Sequence, residues 1–389
     1  LRKWFTGLLA GIALFALTAC QPPWSGNNEN QKIIKNPEKG SDNVTVVPQE
    51  NDKEYRIYHT NKQSETRGYI QYGVDNRVDI DEIETGLMRL SKATFDPDSY
   101  YFQNGKYISP KEIDQMLARK SKAYPNGLNP PLGKGKDLGE QAADAPKILS
   151  YIHEQDYLKS VDPYKLGGIS LAVSVNSVYT DSLYNKKDGK TYTADVVLDQ
   201  EKVKAQGKLY AEKVLQRVRN IKGLENVPIV IALYIESPPG SYIPGHFYAK
   251  TVVDAGQSHI GKWDPVAERY VLFPSSVATK NYKGDSDKFD KFKEDVENYF
   301  PNAIGVVGKG FYRNHELSEL TFTINIRFFD TTEVISFTNY VAALLDSQFP
   351  FSQHIPVQVY INSVEQPEAI VVKTPDMDHP FVHVYRLYK

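Results

Sequence analysis

The strip His153-Glu154-Gln155-Asp156-Tyr157 holds the residues best spaced for chemistry in this chain. Glu154 and Asp156 stand two apart, which places both carboxyls on one face of a strand but on diverging faces of a helix. General acid–base work needs such groups within reach of one substrate. The preceding Ile148-Leu149-Ser150-Tyr151-Ile152 reads as helical, which predicts divergence and no catalytic pair. His315-Glu316-Leu317-Ser318-Glu319 starts like a zinc-protease helix, but Glu319 stands where the second imidazole is required one helical turn on. Asp376-Met377-Asp378-His379 offers oxygen and nitrogen donors; Pro375 and Pro380 flank it, no glycine-bent calcium loop is present, and it reads as a solvated turn. Gly133-Lys134-Gly135-Lys136 lacks the spacing and terminal hydroxyl of a phosphate loop and reads as a flexible basic loop. With no Gly-x-Ser-x-Gly and no Ser-x-x-Lys, local signatures of nucleophilic catalysis are missing, and no metal or other cofactor is implied.

The one cysteine, Cys20, has a different chemistry. Arg2-Lys3 precedes a nearly unbroken apolar run from Trp4 to Leu17, and Leu17-Thr18-Ala19-Cys20 follows, the arrangement of a secretory signal with small residues before the cut. The run falls short of the roughly 20 apolar residues of a membrane span. A lone thiol at this place matches the lipobox of bacterial lipoproteins, in which the Cys20 sulfur receives diacylglycerol and Ala19-Cys20 is the scissile bond. Two or three acyl chains, each CH₂ contributing about 0.8 kcal/mol, then anchor the protein to the outer face of the cytoplasmic membrane. The chain carries 46 Lys and Arg against 48 Asp and Glu, and Arg2 and Lys3 belong to the leading segment. Without a basic excess, nucleic acid is a poor partner.

Elements must position whatever the remainder binds. Residues 1–19 read as a signal peptide. Residues 20–54, rich in Pro, Gly, Asn and Ser, read as a flexible tether with a reach of about 30 Å. Helical spacing of Ile83, Leu87 and Leu90 predicts a helix over 83–93, a hairpin is expected around Asn104-Gly105, another helix after Pro110, and a long surface excursion over 121–146. Beyond residue 165 two passages share one order of elements. Strand 169–179, helix 201–221 and strands 228–234 and 247–253 are matched by strand 320–329, helix 333–349 and strands 356–361 and 369–373. Val227-Pro228-Ile229-Val230 and Ile355-Pro356-Val357-Gln358 hold the same place in each. The expectation is a mixed α+β or α/β fold of two related strand-helix-strand-strand units behind an N-terminal, mostly helical segment, with the first unit at 55–277 and the second at 278–389. An amphipathic helix over 289–300 lies between them, its Phe289, Phe292, Val296 and Tyr299 forming a core stripe.

The chain resembles the CamS family of sex-pheromone lipoproteins from Gram-positive bacteria, over nearly everything from Arg67 onward. The matching stretches include Arg67-Gly68, Gly86-Leu87, Leu90-Ser91-Lys92, Gly127-Leu128-Asn129-Pro130, Glu154-Gln155-Asp156, Asn176-Ser177-Val178-Tyr179, Gln206-Gly207, Pro244-Gly245, Pro274-Ser275-Ser276 and Val307-Gly308-Lys309. The resemblance implies that the apolar tail of the signal peptide is released as a short pheromone that triggers conjugative plasmid transfer. That segment here is Ala13-Leu14-Phe15-Ala16-Leu17-Thr18-Ala19, which departs from the family's active peptide at Leu14 and Thr18. The resemblance implies no enzyme activity for the mature part. It is expected to bind a peptide, glycan or protein ligand in the cell envelope, with Glu154, Asp156, Asn176 and Tyr179 as binding candidates. The alternative is an envelope hydrolase whose active site is dispersed over the sequence.

Overall fold

The computed structural model describes residues 45–47, 54–59, 64–69, 78–299, 304–327, 330–364 and 366–385. The signal segment, the peptide Ala13 to Ala19, the cut at Ala19 and Cys20 itself lie outside the described residues, as does the tether apart from Thr45–Val47 and Glu54.

In chain order, strands β1 (Thr45–Val47) and β2 (Arg56–His59) precede helix α1 (Ile80–Ser91). Strand β3 (Tyr101–Asn104) leads into α2 (Pro110–Leu117) and α3 (Leu138–Asp144). A long antiparallel pair, β4 (Leu149–Val161) and β5 (Tyr164–Val175), is followed by a separate two-stranded hairpin, β6 (Val178–Asn185) and β7 (Lys190–Val197). Then come α4 (Gln200–Val218), β8 (Ile229–Ile235), β9 (His246–Val253) and β10 (Asp264–Pro265). The rest comprises β11 (Glu268–Phe273), α5 (Ser276–Asn281), α6 (Lys283–Glu297), β12 (Ile304–Arg313), β13 (Glu316–Ile326), α7 (Thr331–Ser347), β14 (Val357–Asn362), β15 (Pro367–Lys373) and β16 (Phe381–Val384).

The helices start where local chemistry satisfies their first amides. Ser109 and Glu112 form a reciprocal capping box with Pro110 in the first turn of α2, and Asp199 and Asp330 accept the leading N–H groups of α4 and α7. The first sheet runs β1-β2-β3-β4-β5-β8-β9-β10, the second β11-β12-β13-β14-β15-β16. On one face of the first sheet Ala211, Val214, Leu215 and Val218 of α4, with Ile113 and Met116 of α2, pack on Ile152, Leu171, Val173 and Ile231. On the other, Ile83 and Leu87 of α1 pack on Tyr151, Ala172, Ala232 and Phe247. In the second core Phe289, Phe292 and Val296 of α6 and Val334, Phe337, Val341 and Leu345 of α7 meet Phe322, Ile324, Val359 and Val371. Each of the Val, Leu, Ile, Phe and Met side chains among these contributes about 1.5–3 kcal/mol by leaving water.

The expected repetition is realised strand by strand. β5 pairs parallel with β8 across α4, and β8 pairs antiparallel with β9; β13, α7, β14 and β15 repeat this pattern. The two matched prolines do the same work, since the Ile169 N–H donates to Pro228 O and the Leu320 N–H to Pro356 O. The helical core stripe of α6 also stands as expected. β11 pairs with β12, so the second sheet begins at Glu268, ahead of the 277/278 division.

Three local expectations are corrected. Residues 148–152 are not helical: Leu149 opens β4, buried on both faces from Tyr151 to Leu158, and because His153, Glu154, Gln155 and Asp156 are buried along with the apolar residues on either side, the segment lacks the period-two alternation that marks a strand. Asn104-Gly105 is not a hairpin turn, because β3 pairs with the distant β4 and with β2. Gly105 is needed for a different reason: a Cβ there would lie 2.5 Å from the Glu154 carbonyl oxygen. The 121–146 excursion is irregular only as far as Asp137, whose side chain accepts the Glu140 N–H and starts α3.

Candidate functional site

Because β4 is a strand, Glu154 and Asp156 share one face after all, turned toward the loop between β3 and α2. Glu154 gathers that loop: its carboxylate accepts the N–H groups of Ile108 at 2.9 Å and Tyr107 at 3.2 Å, and its carbonyl accepts the Gly105 N–H at 3.2 Å. Asp156 is fully buried, its carboxyl oxygens make no hydrogen bond of ordinary geometry among the described residues, and its polar neighbours are the Glu154 carboxyl and the Lys106 backbone N–H. Burial first, and then the neighbouring Glu154 charge, hold the Asp156 carboxyl well above the usual carboxylate range. Asp156 is therefore the member that keeps a proton, and Glu154 the one that accepts. Lys106 spends its ammonium over the Tyr164 ring, 3.9 Å from the centroid.

The pair is thus arranged as a loop fastener. Asp156→Asn, which replaces a neutral acid by its isosteric amide, is expected to change unfolding free energy by less than about 1 kcal/mol, whereas Glu154→Gln, which removes the charge from two N–H donors, costs about 2–3 kcal/mol. Urea unfolding at pH 7 separates the two; equal losses would contradict the assignment.

Asn176 and Tyr179 belong to a separate network. The Asn176 amide donates to Lys147 O at 3.1 Å. The buried Tyr179 hydroxyl donates to Asp181 at 2.6 Å and accepts from Arg119 at 2.9 Å, while Arg119 also donates to Pro130 O and Lys147 stands 3.7 Å from Asp181. These contacts tie the loop before α3 to the β6–β7 hairpin. The four candidates read from the sequence therefore serve two internal networks and do not converge.

A group of side chains does converge where the two sheets meet. α1 is clamped to β11: Arg89 donates Nε to Glu268 Oε1 at 3.1 Å and Nη2 to Oε2 at 2.9 Å, and the Tyr270 hydroxyl donates to Glu82. Beside this clamp a cleft of about 270 Å³ opens, lined by Lys204 from α4, His246 and Tyr248 from β9, Arg269 from β11, Tyr312 from β12 and His315 from the β12–β13 turn. Glu268 lines it too, with its charge already held by Arg89. Arg269 is exposed and makes no ion pair among the described residues. His246 is neutral: burial, then the charges of Arg269 and Lys204, push its pKa down to about 4. Tyr282 and Tyr312 close one wall with ring centroids 4.4 Å apart, and Tyr312 donates to Asp285 at 2.8 Å. Asn314 and His315 adopt φ of 51° and 68°, so the segment that began like a metal-binding helix is a left-handed turn. Among the described residues no group of three or more His, Cys, Asp or Glu could hold a metal ion.

Of these residues sequence reasoning weighed only His315. The others come from four elements with no shared spacing, and only the crossing of β11 against β9 assembles them.

The family described as CamS sex pheromone cAM373 precursor matches residues 61–379. Among solved structures, a sex pheromone precursor from Lactobacillus salivarius subsp. salivarius UCC118 is 31% identical, with 89% of this chain and 100% of that chain covered and a TM-score of 0.74. The C-terminal domain of the sex pheromone staph-cAM373 precursor from Staphylococcus aureus is 28% identical, with 79% of this chain and 96% of that chain covered and a TM-score of 0.64. No curated protein matches the chain.

Proposed function

Since the chain belongs to the CamS sex pheromone precursor family, we propose that it is a lipoprotein on the outer face of the cytoplasmic membrane whose leader is also the source of a peptide signal. Cys20 carries the diacylglycerol, cleavage falls between Ala19 and Cys20, and a second cut near Ile12-Ala13 frees Ala13 to Ala19. The observation that carries this reading is the lone Cys20 directly after an apolar run with basic residues ahead of it, in a member of a pheromone-precursor family. The peptide has no charged side chain and only Thr18 is polar, so it can leave a bilayer and enter an apolar receptor pocket. No helix among the described residues is long and apolar enough to cross a membrane. The mature part acts as a binding module of the envelope, and the cleft between the sheets is its ligand site.

Mass spectrometry of the membrane fraction and the medium tests the first two steps together. The expected result is a diacylated Cys20 on the mature chain and the free heptapeptide outside. Cys20→Ala abolishes both, and synthetic Ala13 to Ala19 restores mating in cells carrying a responsive plasmid. An unmodified Cys20 at the start of the mature wild-type chain would overturn the reading.

A further inference from the structure

We propose that the cleft between the two sheets binds a phosphate group carrying a small organic substituent, an inference that rests on reading the mature part as a binding module. The charge balance comes first. Arg269 and Lys204 bring two cations to the cleft, while the one carboxylate among its lining residues, Glu268, is held bidentately by Arg89 on the far side. Lys204 has a partner in Glu201 at 3.1 Å, but that carboxylate is largely in water, where such a pair is weak. Arg269 has none among the described residues. An anion entering here meets a guanidinium free to fork and an ammonium easily redirected.

The donors also fix the shape of the anion. They come from a helix, two strands and a turn, and so approach from several sides. A planar carboxylate is matched by a single guanidinium, whereas a tetrahedral phosphate presents oxygens in several directions at once. The imidazoles of His246 and His315 add donors that need no net charge, since a neutral ring always carries one N–H. His246 loses its proton chiefly to burial, and the two cations beside it add to this; a bound anion would cancel their repulsion. Finally, 270 Å³ is more than a bare anion fills, and the Tyr248, Tyr282 and Tyr312 rings supply flat apolar walls for a polyol or sugar attached to it.

The phosphate can come from a soluble monoester or from a diester in an envelope polymer, and titration calorimetry of the purified protein distinguishes them. Glycerol 3-phosphate represents the first and glycerophosphoglycerol the second, with acetate and glycerol as controls. At least one phosphate compound is expected to bind tenfold or more tighter than acetate, with glycerol silent. Arg269→Gln, at an exposed site that should leave folding intact, weakens it at least tenfold, and His246→Gln severalfold. Lys208→Gln removes an exposed charge elsewhere on α4 and leaves binding unchanged. Acetate binding as tightly as the phosphates, with the same sensitivity to Arg269, would overturn the phosphate assignment and leave the cleft as a ligand site. Phosphate binding indifferent to Arg269→Gln, or no binding by either phosphate, would overturn the proposal.

Discussion

Glu236→Gln is expected to stabilise the protein at pH 7.5 by about 1–3 kcal/mol and to destabilise it by a similar amount at pH 4.5. Glu236 follows β8 at the carboxyl end of the parallel strands and is 3% exposed. One carboxyl oxygen accepts the Ser150 hydroxyl at 2.7 Å, and the other has no donor among the described residues. Burial, opposed in part by the Ser150 hydrogen bond and helped by Asp79, raises its pKa from 4.5 to about 8. The unfolded chain gives up this proton above its ordinary carboxylate range, while the folded protein keeps it until about pH 8. Between those limits the folded state holds the extra proton, so stability falls as pH rises, by about 1.4 kcal/mol per unit. By pH 7.5 the accumulated loss is on the order of 4 kcal/mol. Glutamine is neutral at every pH and recovers it, less about 1–3 kcal/mol for an amide N–H left without an acceptor. Unfolding free energies from pH 4.5 to 8.5 are the measurement. Profiles that run parallel for the two proteins would contradict the account.

Arg219→Ala is expected to be the most damaging single change in the first half, at about 3–4 kcal/mol. Its guanidinium lies just past α4 and donates to four carbonyls: Leu224 at 2.8 Å, Val227 and Gln257 at 2.7 Å and Asp254 at 2.9 Å. Two loops, one entering β8 and one leaving β9, are thereby tied to one side chain. Removing it strands four acceptors, and the total is less than their sum because water reaches part of both loops. Arg219→Lys recovers only part of the loss, since an ammonium cannot spread donors over a planar fork. Urea unfolding gives the magnitude, and amide exchange should quicken first at 254–257. A loss below about 1 kcal/mol would show that the loops hold themselves.

What could be read from residue order was whatever repeats at a regular period. The stripe of Phe289, Phe292 and Val296 gave α6, the spacing of Ile83 and Leu87 gave α1, and the paired prolines 228 and 356 marked equivalent strands in both units. β4 escaped because it lies between β3 and β5 with Tyr151 to Leu158 buried on both faces, polar and apolar side chains alike, so that no alternation of period two separates strand from helix. The same misreading turned Glu154 and Asp156 apart when they share a face. The cleft was invisible for a further reason: Lys204, His246, Arg269 and His315 are brought together by the meeting of two sheets, a tertiary event with no local trace.

Only Val266 and Ala267 separate the last strand of the first sheet from the first strand of the second. A joint that short acts as a stiff hinge pin, and the grip of Arg89 on Glu268 sets its angle. The cleft lies alongside the pin with walls from both sheets, so the short joint and the Arg89 clamp together fix the spacing of its walls.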